Sequence, residues 1–427
     1  ELMNKRLAFI TTILVGISPA SFSDVPYVMA ENLFFVLMVT AAYLLYKTLT
    51  SKSKLAKFIV YPLLIGALTF ITYMTKVLGI ILLIAMGIMF SIKALESIKM
   101  KNSKHSFFKN SLIAFFFVSV FAIVLKFLPL YQYANYLLLK DQNTFAQILF
   151  SALFWISIYG GYLILSSGFI PAIKIFSTKS TTAKKRAYLI VLGSLAVAGI
   201  VVAMKHNINI AFLNTTIFSL LSGRPLGRYI DYLLPLIIIG GFATINTKIN
   251  KKATYILSAL TIISAILLST YDLIPINNSS LSIFGAARII LEKLVGQVEL
   301  LSTSYFLICI VAAMIAIMII GASLKCKKVT SIALILVALF MITNTINYSI
   351  AIYNSETYWY NGEQMQLGLW INDNKEMRGK TILIDEKYEG KLLKLDQNAL
   401  HEARSATILG FWIRNPMKIG NTQDLKG

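Results

Sequence analysis

An all-α polytopic membrane protein is the fold class this sequence predicts, and three observations predict it. The 427-residue chain is 57% hydrophobic and 14% charged, with a mean hydropathy of +0.72; a soluble domain is about half apolar and about a quarter charged. Apolar runs long enough to span recur along it, since about 20 residues rising about 1.5 Å each cross a hydrocarbon core about 30 Å thick. Basic clusters separate those runs, and they fall on alternate loops.

Eleven spans are expected, each marked by its flanking charge. The first, 7–22, follows Lys5 and Arg6, and 29–46 ends at Lys47. The run 58–75 follows Lys57, and 77–92 is closed by Lys93; 7–22 and 77–92 are the short ones. Then 110–129 follows Lys109, 146–168 precedes Lys174, and 187–204 follows Lys184, Lys185 and Arg186. The run 229–246 is closed by Lys248, 253–270 follows Lys251 and Lys252, 303–324 precedes Lys325, and 329–351 follows Lys328. Two further apolar stretches, 207–222 and 280–297, are interrupted by polar residues and read as interfacial or re-entrant helices.

One set of alternating loops holds 22 Lys and Arg, the opposite set 8. By the positive-inside rule the first set is cytoplasmic. The multi-pass chain then lies in the plasma membrane, starting inside, with its tail extracytoplasmic. The expected organisation is a membrane domain, 1–351, and a small soluble α/β segment, 352–427. In that tail 362–373 reads as helix, 380–385 as strand and 405–413 as either. The chain opens on Glu1 in mid-pattern and reads as a fragment of a longer protein, with no leader cleavage pattern after its first apolar run.

The net charge of +21 is explained by the loops, so no nucleic-acid partner is expected. The two cysteines, Cys309 and Cys326, sit at opposite ends of one span, and the three histidines, His105, His206 and His401, lie far apart. No metal or cofactor is indicated.

Polar and ionisable residues are costly in hydrocarbon, so their positions carry information. The notable ones gather at the predicted outer boundary: Glu31 in MAENLFFVL, Lys76 in YMTKVLG, His206 in MKHNIN, Arg288 in GAARIILEK, and Arg224, Arg228, Tyr229 and Asp231 in SGRPLGRYIDYLLP. Each has a plainer role available. Glu31 can complement a helix dipole, Lys76 can snorkel, Arg228 and Tyr229 can anchor the interface, His206 can be a solvated loop residue, and Asp231 can pair with Arg228 or another cation. Tyr131, Tyr133, Tyr136, Tyr358, Trp359 and Tyr360 read as an aromatic belt. Taken together, the cations suit a phosphate anchored in lipid. Arg keeps its charge and binds phosphate bidentately, and Gly223 and Gly227 let backbone approach a head group.

Three patches then resemble the prokaryotic membrane glycosyltransferases of the GT-C superfamily, in the branch of protein mannosyltransferases and lipid A aminoarabinose transferases. MAENLFFVLMVTAAYLLYK is similar to that family's Met-Ser-Glu-x-Leu-Phe helix start, with Ala30-Glu31 in place of Ser-Glu. GALTFITYMTKVLGIILLIAMGIMF resembles Gly-Leu-x-x-Leu-Thr-Lys, with its glycine shifted, and SGRPLGRYIDYLLPLIIIGG resembles a late Arg-Tyr-x-x-x-x-x-Pro helix start. The patches cover about 65 residues, in the family's order.

The resemblance implies a GT-C-like fold with about 11 transmembrane helices here. It implies transfer of a sugar from a polyprenyl-phosphate donor to a glycan, lipid or protein acceptor on the outer face. Lys76 and Arg228, with Arg224 and Tyr229, would hold the donor phosphate, Glu31 would be the donor-site acid, and His206 and Asp231 are further candidates. The catalytic Asp would precede residue 1; Asp24 sits immediately before the matched helix and is not assigned that role. Alternative readings are a transporter or flippase of lipid-linked sugars, a surface-polysaccharide polymerase or ligase, and a non-catalytic scaffold.

Overall fold

The computed structural model describes residues 2–19, 30–53, 55–99, 145–177, 182–211, 229–270, 283–287, 290, 300–323, 328–356, 363–385 and 413–420. The chain divides into two compact units, Glu1–Asn347 and Tyr348–Gly427.

The described elements of the first unit are all helices. Its elements are α1 (Lys5–Gly16), α2 (Ala30–Thr50), α3 (Tyr61–Thr75), α4 (Ile80–Lys99), α5 (Phe145–Ser166), α6 (Ile170–Ser177), α7 (Ala183–Ala211), α8 (Leu233–Ala243), α9 (Lys251–Thr270), α10 (Leu300–Ser323) and α11 (Lys328–Ser355). The last of these carries the chain into the second unit. Helices thus overlap the expected apolar ranges, 7–22 through Gly16 and 229–246 from Leu233; 20–22 and 110–129 lie outside the described residues. Of the interrupted stretches, 207–211 simply continues α7 and 283–287 is helical; the rest of both is outside the description, apart from residue 290.

The count of eleven spans is not reached. Four helices among the described residues are long and apolar enough to cross a membrane: Leu33–Thr50, Ala183–Lys205, Lys251–Ser269 and Val329–Ser349. A fifth follows if the bent pair α5–α6 is one span; α3 and α8 are shorter, as are the described apolar stretches Ile80–Lys93 of α4 and Ile308–Ile320 of α10. The expected run 229–246, for one, opens on the turn that holds Tyr229 to Tyr232 and is α-helical over Leu233–Ala243 alone.

Local chemistry explains the boundaries. Asn4 caps α1, its side chain accepting from the Leu7 N–H at 2.9 Å. Pro62 lies in the first turn of α3, where a missing N–H costs nothing, after a π-helical turn at Ala56–Val60. The α5–α6 break is a Schellman closure. Phe169 N–H donates to Ile164 O at 2.9 Å and Gly168 N–H to Leu165 O at 2.9 Å, with Gly168 at φ +87°. Phe169 also takes a left-handed φ of 56°, and α6 departs at 112°.

Helix α7 is the hub, packing on α2, α4, α5 and α8, while α9 lies between α5 and α10. Small residues permit the closest approaches. A Cβ at Gly161 would collide with Ser264, whose hydroxyl donates to Ile158 O at 2.9 Å, and one at Gly241 would collide with Pro171. Threonine hydroxyls return to carbonyls one turn back, as Thr72 to Leu68 O at 2.6 Å and Thr261 to Leu257 O at 2.8 Å. Large apolar residues face outward on several helices, among them Leu63, Met74, Leu153, Ile256, Ile320 and Leu334. Water would penalise such a surface, whereas lipid accepts it.

The ends of the helices sort by charge. Arg186, starting α7, bonds Glu96 near the end of α4 at 2.8 Å, and Lys93 meets the same carboxylate at 2.8 Å. Tyr46 and Tyr188 stand edge to face at 6.2 Å. Lys174 donates to Thr247 O. All these contacts join residues at or beside the basic loops, so those loops share one end of the unit.

In the second unit the described residues form α12 (Glu363–Asp373) and two short strands, β1 (Ile382–Asp385) and β2 (Met417–Gly420). The strands pair in parallel, Ile382 opposite Met417 and Asp385 opposite Gly420. The stretch 405–412 lies outside the described residues, and β2 was not expected.

Candidate functional site

Away from the basic ends, α3 stops at Thr75 because Lys76 turns extended, at φ −156° and ψ 131°. Its N–H still closes the last helical turn onto Thr72 O at 2.9 Å, and its carbonyl accepts from Gly79 N–H at 2.8 Å. The short turn Val77–Gly79 then leads into α4. A Cβ at Gly79 would stand 2.5 Å from the Tyr73 nitrogen, so only glycine lets this turn fold back on α3.

That geometry puts the half-buried Lys76 ammonium in an aromatic corner. Its Nζ is 5.8 Å from the Phe34 ring centre and 5.7 Å from that of Tyr229. A cation over a ring gains about 0.5–2 kcal/mol, more as water is excluded. Phe34, on α2, stands edge-on to Tyr232 at 6.2 Å and 84°. Tyr229 opens the turn that precedes α8. Tyr232, in the same turn, donates to Leu195 O of α7 at 3.2 Å.

Asp231 completes the turn. It is 4% exposed and accepts from the Tyr162 hydroxyl of α5 at 2.7 Å. The Tyr162 ring lies tilted against Phe284 at 6.5 Å. Arg228, the expected partner of Asp231, lies outside the described residues; the described contact is with a phenol from a distant helix. A phenol donor suits a buried carboxylate because it satisfies a lone pair without burying a second charge.

Of the residues expected to form the site, the structure brings Lys76 and Tyr229 together, with Asp231 two residues on. Glu31 lies in the first turn of α2, three residues before Phe34; its side chain is outside the described set, as is that of His206 in the last turns of α7. Arg224, Arg228 and Arg288 lie outside the described residues. Sequence reasoning missed Phe34, Tyr162 and Tyr232, which belong to apolar runs where an aromatic carries no separate signal. It also missed Lys205, on the same α7, whose ammonium nitrogen is buried without a hydrogen-bond partner among the described residues. No cluster of three or more metal-ligating residues occurs among the described residues.

Chemically, the corner offers a fixed cation flanked by flat apolar walls. A phosphate oxygen can meet the ammonium while a hydrocarbon or sugar face meets the rings. Comparison of the chain with protein-family models, with curated proteins and with solved structures finds no match.

Proposed function

We propose that the chain belongs to a membrane glycosyltransferase that moves a sugar from a polyprenyl-phosphate donor to an acceptor hydroxyl on the outer face of the membrane. The supporting observation is the meeting of Lys76 with Phe34 and Tyr229, one residue from each of the three patches that resemble the GT-C enzymes. Lys76, with Arg224 and Arg228, neutralises the donor phosphate, Glu31 stands near the sugar, and Tyr229 walls the site. The acceptor oxygen bonds the anomeric carbon as the bond from that carbon to the phosphate oxygen breaks. The acceptor proton passes to a carboxylate acting as general base, and the lipid phosphate leaves with charge that fixed cations stabilise.

In this reading the basic ends are cytoplasmic, and the Lys76 corner with the tail lies outside. Membrane lipid, the lipid-linked sugar and a glycan, lipid or protein acceptor are the partners, and no cofactor is used. Transfer from a polyprenyl-phosphate sugar by the reconstituted full-length protein tests it. Lys76→Ala should lower the rate about 100-fold, the scale of one lost charge-stabilising donor, and Lys76→Arg should restore much of it. Unchanged transfer in Lys76→Ala at normal expression would sink the assignment.

A second reading, a carrier of lipid-linked sugars, has one observation in its favour: the 112° α5–α6 bend, since carriers use discontinuous helices. It requires labelled lipid-linked sugar to cross the bilayer without an acceptor, which distinguishes it from transfer and from polymerisation of a surface polysaccharide.

A further inference from the structure

Helix α12 is too polar to span and carries an apolar face that its own unit leaves uncovered. Gly368 and Ile371 turn inward, whereas Leu367, Leu369 and Trp370 are 47%, 44% and 56% exposed. Leu367 and Trp370, three residues apart, share one side of the helix. Beyond its end come the exposed Lys375, Arg378 and Lys380. This basic turn is held in place: Asn415 Nδ2 donates to Met377 O at 2.6 Å and to Lys380 O at 2.8 Å, and Arg414 N–H donates to Asn372 Oδ1 at 3.1 Å.

The chain says what lies nearby. The span Val329–Ser349 leads through the end of α11, and only seven residues, 356–362, separate Ser355 from Glu363. Seven residues reach about 25 Å at most. Three of them are Tyr358, Trp359 and Tyr360, side chains that favour the head-group level. Just Asn361 and Gly362 then remain before α12.

We propose that α12 is a membrane-surface helix: Leu367 and Trp370 enter the lipid interface, and Lys375, Arg378 and Lys380 meet anionic head groups. Indole suits that depth, apolar body inward and N–H towards water, and basic residues beside it are attracted to an anionic surface. The proposal depends on α11 as a span and not on the transferase reading.

A nitroxide at position 370 (Trp370→Cys with Cys309→Ser and Cys326→Ser), in the full-length protein in nanodiscs containing phosphatidylglycerol, tests it. Collisions with oxygen should exceed those with a water-soluble nickel chelate several-fold, and the order should reverse at position 376 (Glu376→Cys). Nickel access at 370 equal to that at 376 overturns the proposal. So does shielding of 370 from both reagents, the mark of a protein partner. Replacing Lys375, Arg378 and Lys380 by Gln should raise nickel access at 370 in these discs, with no change in discs of phosphatidylcholine alone. Equal behaviour in both discs overturns the head-group contact. The nitroxide at 376 keeps its spectrum in the triple variant if the unit is folded.

Discussion

At the scale of residues, a phenol on α5 meets Asp231. The carboxylate is buried, and the Tyr162 hydroxyl reaches it across the helices at 2.7 Å. Tyr162→Phe removes the donor and keeps the ring against Phe284, so the loss isolates the hydrogen bond. A hydrogen bond to a charged group contributes about 1.5–3 kcal/mol, which sets the upper scale of the loss. Thermal unfolding in detergent should show Tyr162→Phe lowering Tm, and the double variant Tyr162→Phe/Asp231→Asn should lose less than the sum of its two single changes. Strict additivity would remove the pair from the account. Lys76 illustrates the same scale from the other side. Its charge is evident in YMTKVLG, but the rings that receive it are not.

At the scale of elements, the α5–α6 break is the sharpest local device. Gly168 takes a left-handed conformation, and a Cβ there would run into Leu336. Gly168→Ala thus meets strain and overpacking together, each worth about 1–3 kcal/mol. Gly87, in the middle of α4, has open space around it, so Gly87→Ala should instead stabilise by up to about 1 kcal/mol through helix propensity. Opposite signs of the Tm change in the two variants are expected; similar losses in both would show that the bend is not the cause. Serine and glycine at 166–168 mark a helix end in the sequence, and α5 ends at Ser166, two residues inside the expected 146–168; the sharp departure of α6 is what the sequence leaves open.

At the scale of the whole first unit, ion pairs tie two of its basic helix ends together. Glu96 is the central acid of the basic end. Burial alone would raise its carboxyl, but hydrogen bonds and charge from Lys93 and Arg186 outweigh that and hold it below the usual range. A carboxyl depressed by folding stabilises above its ordinary value, about 4.5, and that stabilisation is lost as pH falls from there through the lower folded value. Wild type should therefore lose more Tm than Glu96→Gln when acidified from about pH 6 to about pH 3, by a small margin, because a partly exposed ion pair is worth about 1 kcal/mol or less. Identical acid slopes would count against the linkage. Sidedness has its own test. In a background without Cys309 and Cys326, an impermeant thiol reagent should label Lys375→Cys from outside the cell and Lys52→Cys only in inverted vesicles. Labelling of both from one side would overturn the orientation.

Composition and loop charge determined the class of this protein. Residues that avoid water, punctuated by basic clusters every second turn of the chain, leave few architectures other than a helical membrane protein, because hydrocarbon forces each backbone to satisfy itself. The ranges of most helices were legible for the same reason. The turns at Lys76–Gly79 and Ser167–Phe169 fall at the expected run ends, but their geometry was not legible, since it is set by packing against Tyr73 and Leu336. The partners of the candidate site were equally hidden. Phe34, Lys76, Tyr229 and Tyr162 lie on separate elements, and only the packing of α2, α5 and α8 around α7 brings a cation to two rings and a phenol to an acid. Pairwise contacts of that kind depend on helix register and rotation, quantities that a hydropathy pattern leaves open and close packing settles.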